Sequence, residues 1–425
     1  MAAAAISEFV AELKLGDKLL PWRNSNITWV WIFCPAIFGY VGLLMQILNN
    51  KPTLGSIEVI SQPLFGKLAL PTYPIEVIAT GGEWTEGPLW VDNDDSMPYL
   101  LYSDTKQNRI NRWEEGRGFF TVGKTLYLPK SGCKHDNMSE HCDGMYEPGS
   151  NGLTKLFPEP EENTLDMIMC QHGERAITMQ RDNGTRTIIA SHYKGKKFNS
   201  PNDLVFSPEG HLYFTDPTYG LFRKGEAHNI EAKEADARVF DASMQEQPHA
   251  GLYMIHRSEV SKAIETGQPA RNVFLIDSKM SHPNGLAFSP GYSKLYVSNS
   301  DPFNAYWKVF DVNTNGLAHK GMVFFNATET LQLAGGVNAA PFAPFAPDGL
   351  KVDISGNIFA AGPGGVLIFS PEAQLIGRLH TDRPVSNVAF GDAGYLYMTA
   401  TDLVLRKRFH TKPAKTPEFK QSKHK

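Results

Sequence analysis

Short apolar runs separated by Gly, Pro, Asn and Asp recur from about residue 75 to 410, and few stretches there show helical periodicity. That pattern predicts an all-β body. One stretch, "NDLVFSPEGHLYFTD" from Asn202, sets the template: a polar starter, an apolar strand, a turn and a second apolar strand. Weaker copies begin at Glu86 ("EGPLWVDNDDSMPYLLYSD"), Asn151 ("NGLTKLFPEPEENTLDMIMCQ"), Asn284 ("NGLAFSPGYSKLYVSN"), Asp348 ("DGLKVDISGNIFAAG") and Asn387 ("NVAFGDAGYLYMTA"). One such unit cannot bury a sheet face alone. Six arranged radially can, so the expected architecture is a six-bladed β-propeller over residues 75–410.

A different pattern precedes it. "ITWVWIFCPAIFGYVGLLMQIL", Ile27 to Leu48, holds 22 residues without a charge. At about 1.5 Å per residue it crosses a hydrocarbon core of about 30 Å, which predicts an N-terminal transmembrane helix. Lys14, Lys18 and Arg23 precede it and Lys51 alone follows closely. The positive-inside rule then leaves residues 1–26 cytoplasmic. The expected protein is a single-pass membrane protein whose body is lumenal or extracellular. Residues 49–74 read as a linker and 411–425 as a basic, frayed tail. Sequons at Asn137, Asn183 and Asn326 suit glycosylation of a lumenal body, whereas that at Asn26 lies too close to the membrane.

The formal net charge of −4 gives no reason to expect nucleic-acid binding. Of four cysteines, Cys34 lies in the span and Cys170 in an apolar run. Cys133 and Cys142 flank a polar loop, "CKHDNMSEHC", which a disulfide would close in an oxidising lumen. A metal site from Cys133, His135, His141 and Cys142 is the rival, although its spacing fits no common zinc pattern. The chain has no Gly-x-Ser-x-Gly elbow, no Walker loop and no dinucleotide fingerprint after a strand.

In a propeller the innermost strand of each blade lines a central channel, and its first residue sits at one mouth. The six starters would converge there as two carboxylates and four amides, an oxygen-only set suited to Ca²⁺ or Mg²⁺. A single Asn or Asp also caps strands and turns; six at one equivalent position argue for a ring.

At these residues the chain resembles the gluconolactonase, senescence-marker-protein and luciferin-regenerating family of calcium-dependent lactonases, from roughly Trp84 to Phe409. The motifs "EGPLW", "SDTKQNRINRW", "CQHGER", "GKKFNSPNDLVFSPEGHLYFTDPTYG", "PNGLAFSP", "LYVSNSDP", "PDGLKVD" and "GPGGVLIFSP" stand in the family's order. The resemblance implies one divalent cation on the propeller axis, Ca²⁺ or alternatively Mg²⁺ or another divalent ion, held by Glu86, Asn202, Asn284 and Asp348. It implies a supporting role for Asp203, and channel-lining, substrate-contacting positions for Asn151 and Asn387. The anchor and the insert "AGGVNAAPFAPFAP" before Asp348 depart from the simplest family pattern, and the insert is a candidate lid.

The expected reaction is hydrolysis of a lactone by metal-activated water, with Asp348 as general base. Should Asp348 be a ligand alone, His172 or His282 is the alternative proton carrier. Tyr219 in "DPTYG" is a candidate contact for a substrate hydroxyl. Two rival readings are a biosynthetic propeller enzyme resembling strictosidine synthases, which lack the full acidic and amide shell, and a binding propeller without catalysis.

Overall fold

Six antiparallel sheets follow one another along the chain, each entered by one of the predicted starters. The computed structural model describes residues 52–69, 71–92, 97–115, 124–133, 142, 144–157, 165–225, 238–333 and 345–414. The innermost strands are Thr85–Val91, Ser150–Lys155, Leu204–Phe206, Pro283–Phe288, Leu350–Val352 and Asn387–Phe390. Each touches the next, and the last touches the first, so the sheets form the expected six-bladed β-propeller.

Six hydrophobic clusters fill the gaps, one between each pair of neighbouring blades. The cause lies in the strand pattern. Successive side chains point to opposite faces, and both faces of every blade meet another blade, so both must be apolar. Thus Leu212–Asp216 and Gly251–Ile255 are buried along their whole length. In the gap between the second and third blades, Phe214 stacks on Tyr253 with centroids 5.3 Å apart. Between the fourth and fifth, Trp307 lies 5.3 Å from Phe369.

The N-terminal part of the body departs from expectation. Residues 49–74 were expected to form a linker, yet Ser56–Val59 adds a fifth strand to the fifth blade, with Ser56 opposite His380 and Val59 opposite Gly377. Helix α1, Gln62–Leu68, follows, with Pro63 in its first turn and Phe65 and Leu68 buried. Phe65 packs in the cluster shared by the fifth and sixth blades. A four-residue strand completed by a partner more than three hundred positions away leaves too weak a local signal to be read from periodicity. Next, Glu76–Ala79 becomes the outermost strand of the sixth blade beside Leu403–Arg408. The last blade is therefore built from both ends of the domain.

The tail was expected to fray from residue 411, but its first residues pack. Thr411 Oγ1 donates to Asp353 Oδ2 at 2.9 Å, and Ala414 N donates to Val352 O at 3.0 Å. A cavity of about 950 Å³ opens beside this segment, at the ends of the inner strands away from the starters; Lys155, Lys351 and Arg408 are among its lining residues. The membrane span expected at residues 27–48 lies outside the described residues, as do Cys34, Asn137, the insert from 334 to 344, and residues 415–425. Among the described residues no helix is long and apolar enough to cross a membrane.

Replacing Phe65 with Ala should cost about 3–5 kcal/mol, as large core truncations do. Phe303→Ala, at a side chain 65% exposed, should change stability by less than about 0.5 kcal/mol. Denaturant unfolding followed by tryptophan fluorescence compares the two. Equal effects would mean that helix α1 does not brace the blades.

Candidate active site

The starters occupy one mouth of the ring. Glu86, Asn151, Asn284 and Asn387 are the first or second residues of their inner strands, and Asn202 and Asp348 stand two residues before theirs. A circuit of hydrogen bonds links them from blade to blade. Ser103 Oγ donates to Asn151 O at 2.7 Å, Gly152 N to Asn202 O at 2.7 Å, and Thr215 Oγ1 to Asn284 O at 2.7 Å. Ser300 Oγ then donates to Pro347 O, Gly349 N to Ser386 O at 2.8 Å, and Ser386 Oγ to Thr85 O at 2.6 Å. Such close approach needs glycine beside the starters. A Cβ on Gly349 would fall 2.0 Å from Asn387 Cγ, and one on Gly152 would fall 2.7 Å from Asn202 O.

A second device holds the loops that lead into the inner strands. In three blades the polar residue near the end of the second strand accepts amides from that loop. Asp104 of "LLYSD" accepts from Trp84 N at 3.2 Å. Asp216 of "LYFTD" accepts from Asn199 N at 2.9 Å and Ser200 N at 2.8 Å. Asn299 of "LYVSN" accepts from His282 N at 2.9 Å. These bonds account for the polar ends of strands that are otherwise apolar, because a buried amide without a partner is costly.

The mouth gathers carboxylates. Burial pushes Glu86 up from its ordinary value of 4.5 to about 8, helped by the negative charges of Asp203 and Glu147. Asp348 is also raised, by burial first and then by Glu86 and Asp203. As a whole residue it is half-buried, while its Oδ1 is buried. Among the described residues no ion pair joins a Lys or Arg to Glu86, Asp203 or Asp348. Asn387 Nδ2 donates to Asp203 Oδ2 at 3.2 Å, tying the sixth blade's starter to the residue after the third blade's.

The other predicted residues line two sides. Tyr219 stacks on His282, centroids 6.0 Å apart, and its hydroxyl bonds Ser300 and Asn284. Asn284 Nδ2 in turn donates to Ser300 Oγ at 3.1 Å. Burial raises the Tyr219 hydroxyl, keeping it protonated, and lowers His282, keeping its ring neutral. On the other side His172 is wholly buried between Asn151 and Glu147.

Three comparisons bear on this arrangement. Residues 84–402 match the family described as SMP-30/Gluconolactonase/LRE-like region. The chain belongs to that family. It is 34% identical over 371 residues to a gluconolactonase of Zymomonas mobilis, covering 85% of this chain and 88% of that protein. It is 25% identical over 229 residues to lactonohydrolase oryL of Aspergillus oryzae, covering 51% and 45%. A solved gluconolactonase structure from Xanthomonas campestris superposes with a TM-score of 0.60 at 23% identity, over 84% of this chain and 97% of that one. This last likeness speaks for the fold.

The donor set fits a hard divalent cation. Its atoms are carboxylate and amide oxygens, the buried Asp348 Oδ1 has no hydrogen-bond partner among the described residues, and a positive ion would offset the burial and like-charge repulsion that raise Glu86 and Asp348. Among the described residues no group of three or more His, Cys, Asp or Glu is arranged to hold a metal. The cysteine–histidine alternative fails for a specific reason. Cys133 and Cys142 are joined in a disulfide, Cα–Cα 6.4 Å, leaving no thiolate.

Sequence reading missed Glu147 and Ser300. The disulfide pins the chain just before Glu147, and Tyr146 N donates to Phe222 O at 2.8 Å, which carries Glu147 over the mouth. The available signal was its place four residues ahead of a starter in "EPGSN".

The raised value of Glu86 fixes a pH dependence. In metal-stripped protein its contribution to stability is full below about 4.5 and is lost as pH rises through about 8. The unfolding temperature of chelated protein should therefore fall over that window, and Glu86→Gln should flatten the fall. Added Ca²⁺ should raise it more at about pH 8 than at about pH 5, because the ionised shell binds the ion. A native curve that stays level without metal would contradict this account.

Proposed function

We propose that this protein is a divalent-cation-dependent lactonase. The observation that carries the reading is the ring of Glu86, Asn202, Asn284 and Asp348 at one mouth, with Asp348 Oδ1 unpartnered and no Lys or Arg paired to Glu86 or Asp348 among the described residues. The 34% identity to a gluconolactonase supports lactones as the substrate class. When bound, a divalent cation would polarise the lactone carbonyl, stabilise the developing oxyanion and let Glu86 and Asp348 ionise together. Its flexible oxygen coordination suits Ca²⁺ best, with Mg²⁺ the alternative.

The chain's own residues supply the remainder. Asp348 takes a proton from the attacking water through its free oxygen while the water oxygen bonds to the carbonyl carbon. The tetrahedral species collapses by breaking the ring C–O bond, and Asp348 returns the proton it took to the leaving alkoxide, giving a hydroxy acid. Asp203 and Asn387 hold their side of the ring through their mutual hydrogen bond. Tyr219, bonded to Ser300 and Asn284, lies on the substrate side as a contact for a hydroxyl. His282 meets Tyr219 by stacking, which favours Asp348 as the base. A biosynthetic propeller enzyme or a binding propeller would have no need of this acidic and amide set.

The decisive experiment assays ring opening of aldonolactones, pantolactone and aromatic lactones with chelator and with restored Ca²⁺. Activity should vanish with chelator and return with calcium. Asp348→Asn should lower turnover about 10²–10⁴-fold at saturating Ca²⁺. Glu86→Gln should instead raise the calcium requirement. Chelator-resistant activity, or full turnover by Asp348→Asn, would sink the mechanism.

We also propose that residues 27–48 anchor the protein with the propeller on the lumenal side, from the charge asymmetry around that span. Asn183 and Asn326 are exposed, in keeping with glycan acceptors. Glycosidase treatment of protein from its native cells should increase gel mobility. Unchanged mobility, with protease digestion of the body in intact vesicles, would reverse the topology.

A further inference from the structure

Asn151 presents an unusual pair of atoms. Its Nδ2 lies 3.5 Å from His172 Nε2, while its buried Oδ1 has no hydrogen-bond partner among the described residues. His172 has no exposed surface and follows the strand Met167–Gln171, which pairs with the strand carrying Asn151. Backbone bonds fix it from both sides: His172 N donates to Gly149 O at 3.1 Å, and Arg175 N donates to His172 O at 3.2 Å. Its other ring nitrogen, Nδ1, has no hydrogen-bond partner among the described residues and lies 3.6 Å from Glu147 Oε2.

Donor and acceptor matching narrows the possibilities. A neutral imidazole has one N–H and one bare nitrogen, and an ionised carboxylate only accepts. A bare Nδ1 facing Glu147 sets two lone pairs against each other. The proton therefore belongs on Nδ1, directed at Glu147. Nε2 is then bare and accepts from the Asn151 amide, so NH₂ faces His172 and Oδ1 faces away from it. Turning the amide over would set its oxygen against the bare Nε2. The carboxylate of Glu147 thus decides, through one ring, which end of the Asn151 amide faces away from His172.

We propose that Glu147 and His172 are positioning residues that lock Asn151 with Oδ1 facing away from His172, as an acceptor for a ring hydroxyl of the lactone. They select hydroxylated over unsubstituted rings. The selection step rests on the lactonase reading above, whereas the orientation of the amide does not. The geometry gives His172 a fixed tautomer in place of proton transfer.

Two measurements on the full-length, calcium-loaded protein test this. The first is long-range ¹H–¹⁵N correlation of protein labelled at histidine nitrogen, with the His172 signal identified by its loss in His172→Phe. The expected state is Nδ1–H with bare Nε2, the less common form of free histidine. Glu147→Gln, whose amide can donate to Nδ1, should shift the ring towards Nε2–H. A native ring in the Nε2–H or doubly protonated state overturns the proposal, whether or not any lactone is a substrate.

The second measurement compares a hydroxylated δ-lactone with δ-valerolactone. Glu147→Gln should raise the KM ratio of the first to the second by roughly tenfold, the scale of one hydrogen bond, with kcat falling less. Placed on Asn151→Ala, the same change should leave the ratio where Asn151→Ala sets it, because the relay then has nothing to orient. Equal KM increases for both lactones would overturn the selectivity step. A wild-type protein that opens neither lactone would refute the lactonase reading, and the tautomer would still decide the relay.

Discussion

Like charge crowded into a buried mouth is the constraint on which this structure turns. Glu86, Asp203, Asp348 and Glu147 repel one another where water is scarce, and two of them are driven towards their neutral forms. Removing an unpaired carboxylate from water costs several kcal/mol, and a fold tolerates that only where the surroundings cannot relax. The hydrogen-bond circuit through Ser103, Gly152, Thr215, Ser300, Gly349 and Ser386 provides that rigidity. Each member joins a different pair of blades, so no starter can retreat without loosening two neighbours.

Rigidity and chemistry are therefore one arrangement. The apolar clusters between blades fix the radial positions of the inner strands, and the polar ends of the second strands fix the loops above them. The glycines then let the starters approach closely enough to share one small volume. Tyr219 and Ser300 on one side and His172 and Glu147 on the other surround that volume with groups of defined hydrogen-bonding sense. Such a recess suits a ligand rich in hydroxyls, since each fixed donor or acceptor penalises a partner that lacks its complement.

Much of this was legible because the fold is a repeat. Six weak copies of one pattern locate six inner strands and, with them, the starters. Residues outside the repeat escaped. Glu147 lies on a connection whose path depends on a disulfide and on pairing with Phe222, neither of which periodicity encodes. Ser300 was hidden within a strand motif, where its hydroxyl reads as ordinary alternation. The strand Ser56–Val59 was mistaken for linker because its partner, Leu375–His380, is remote. The roles of His172 and His282 were open because imidazole chemistry depends on what each nitrogen faces.

The composite sixth blade bears on how the chain is made. Glu76–Ala79 pairs with Leu403–Arg408, and Arg406 Nε donates to Glu76 Oε2 across 330 positions. A strand from the start of the body thus waits for one at its end. Until then the growing chain is an open arc of blades with an unpaired edge and two uncovered apolar faces, the features that invite misassociation. The starters at Glu86 and Asn387 also lie on either side of that gap, so the oxygen ring cannot close before the final strand arrives. Closure of the propeller and closure of the ring of starters are thereby linked.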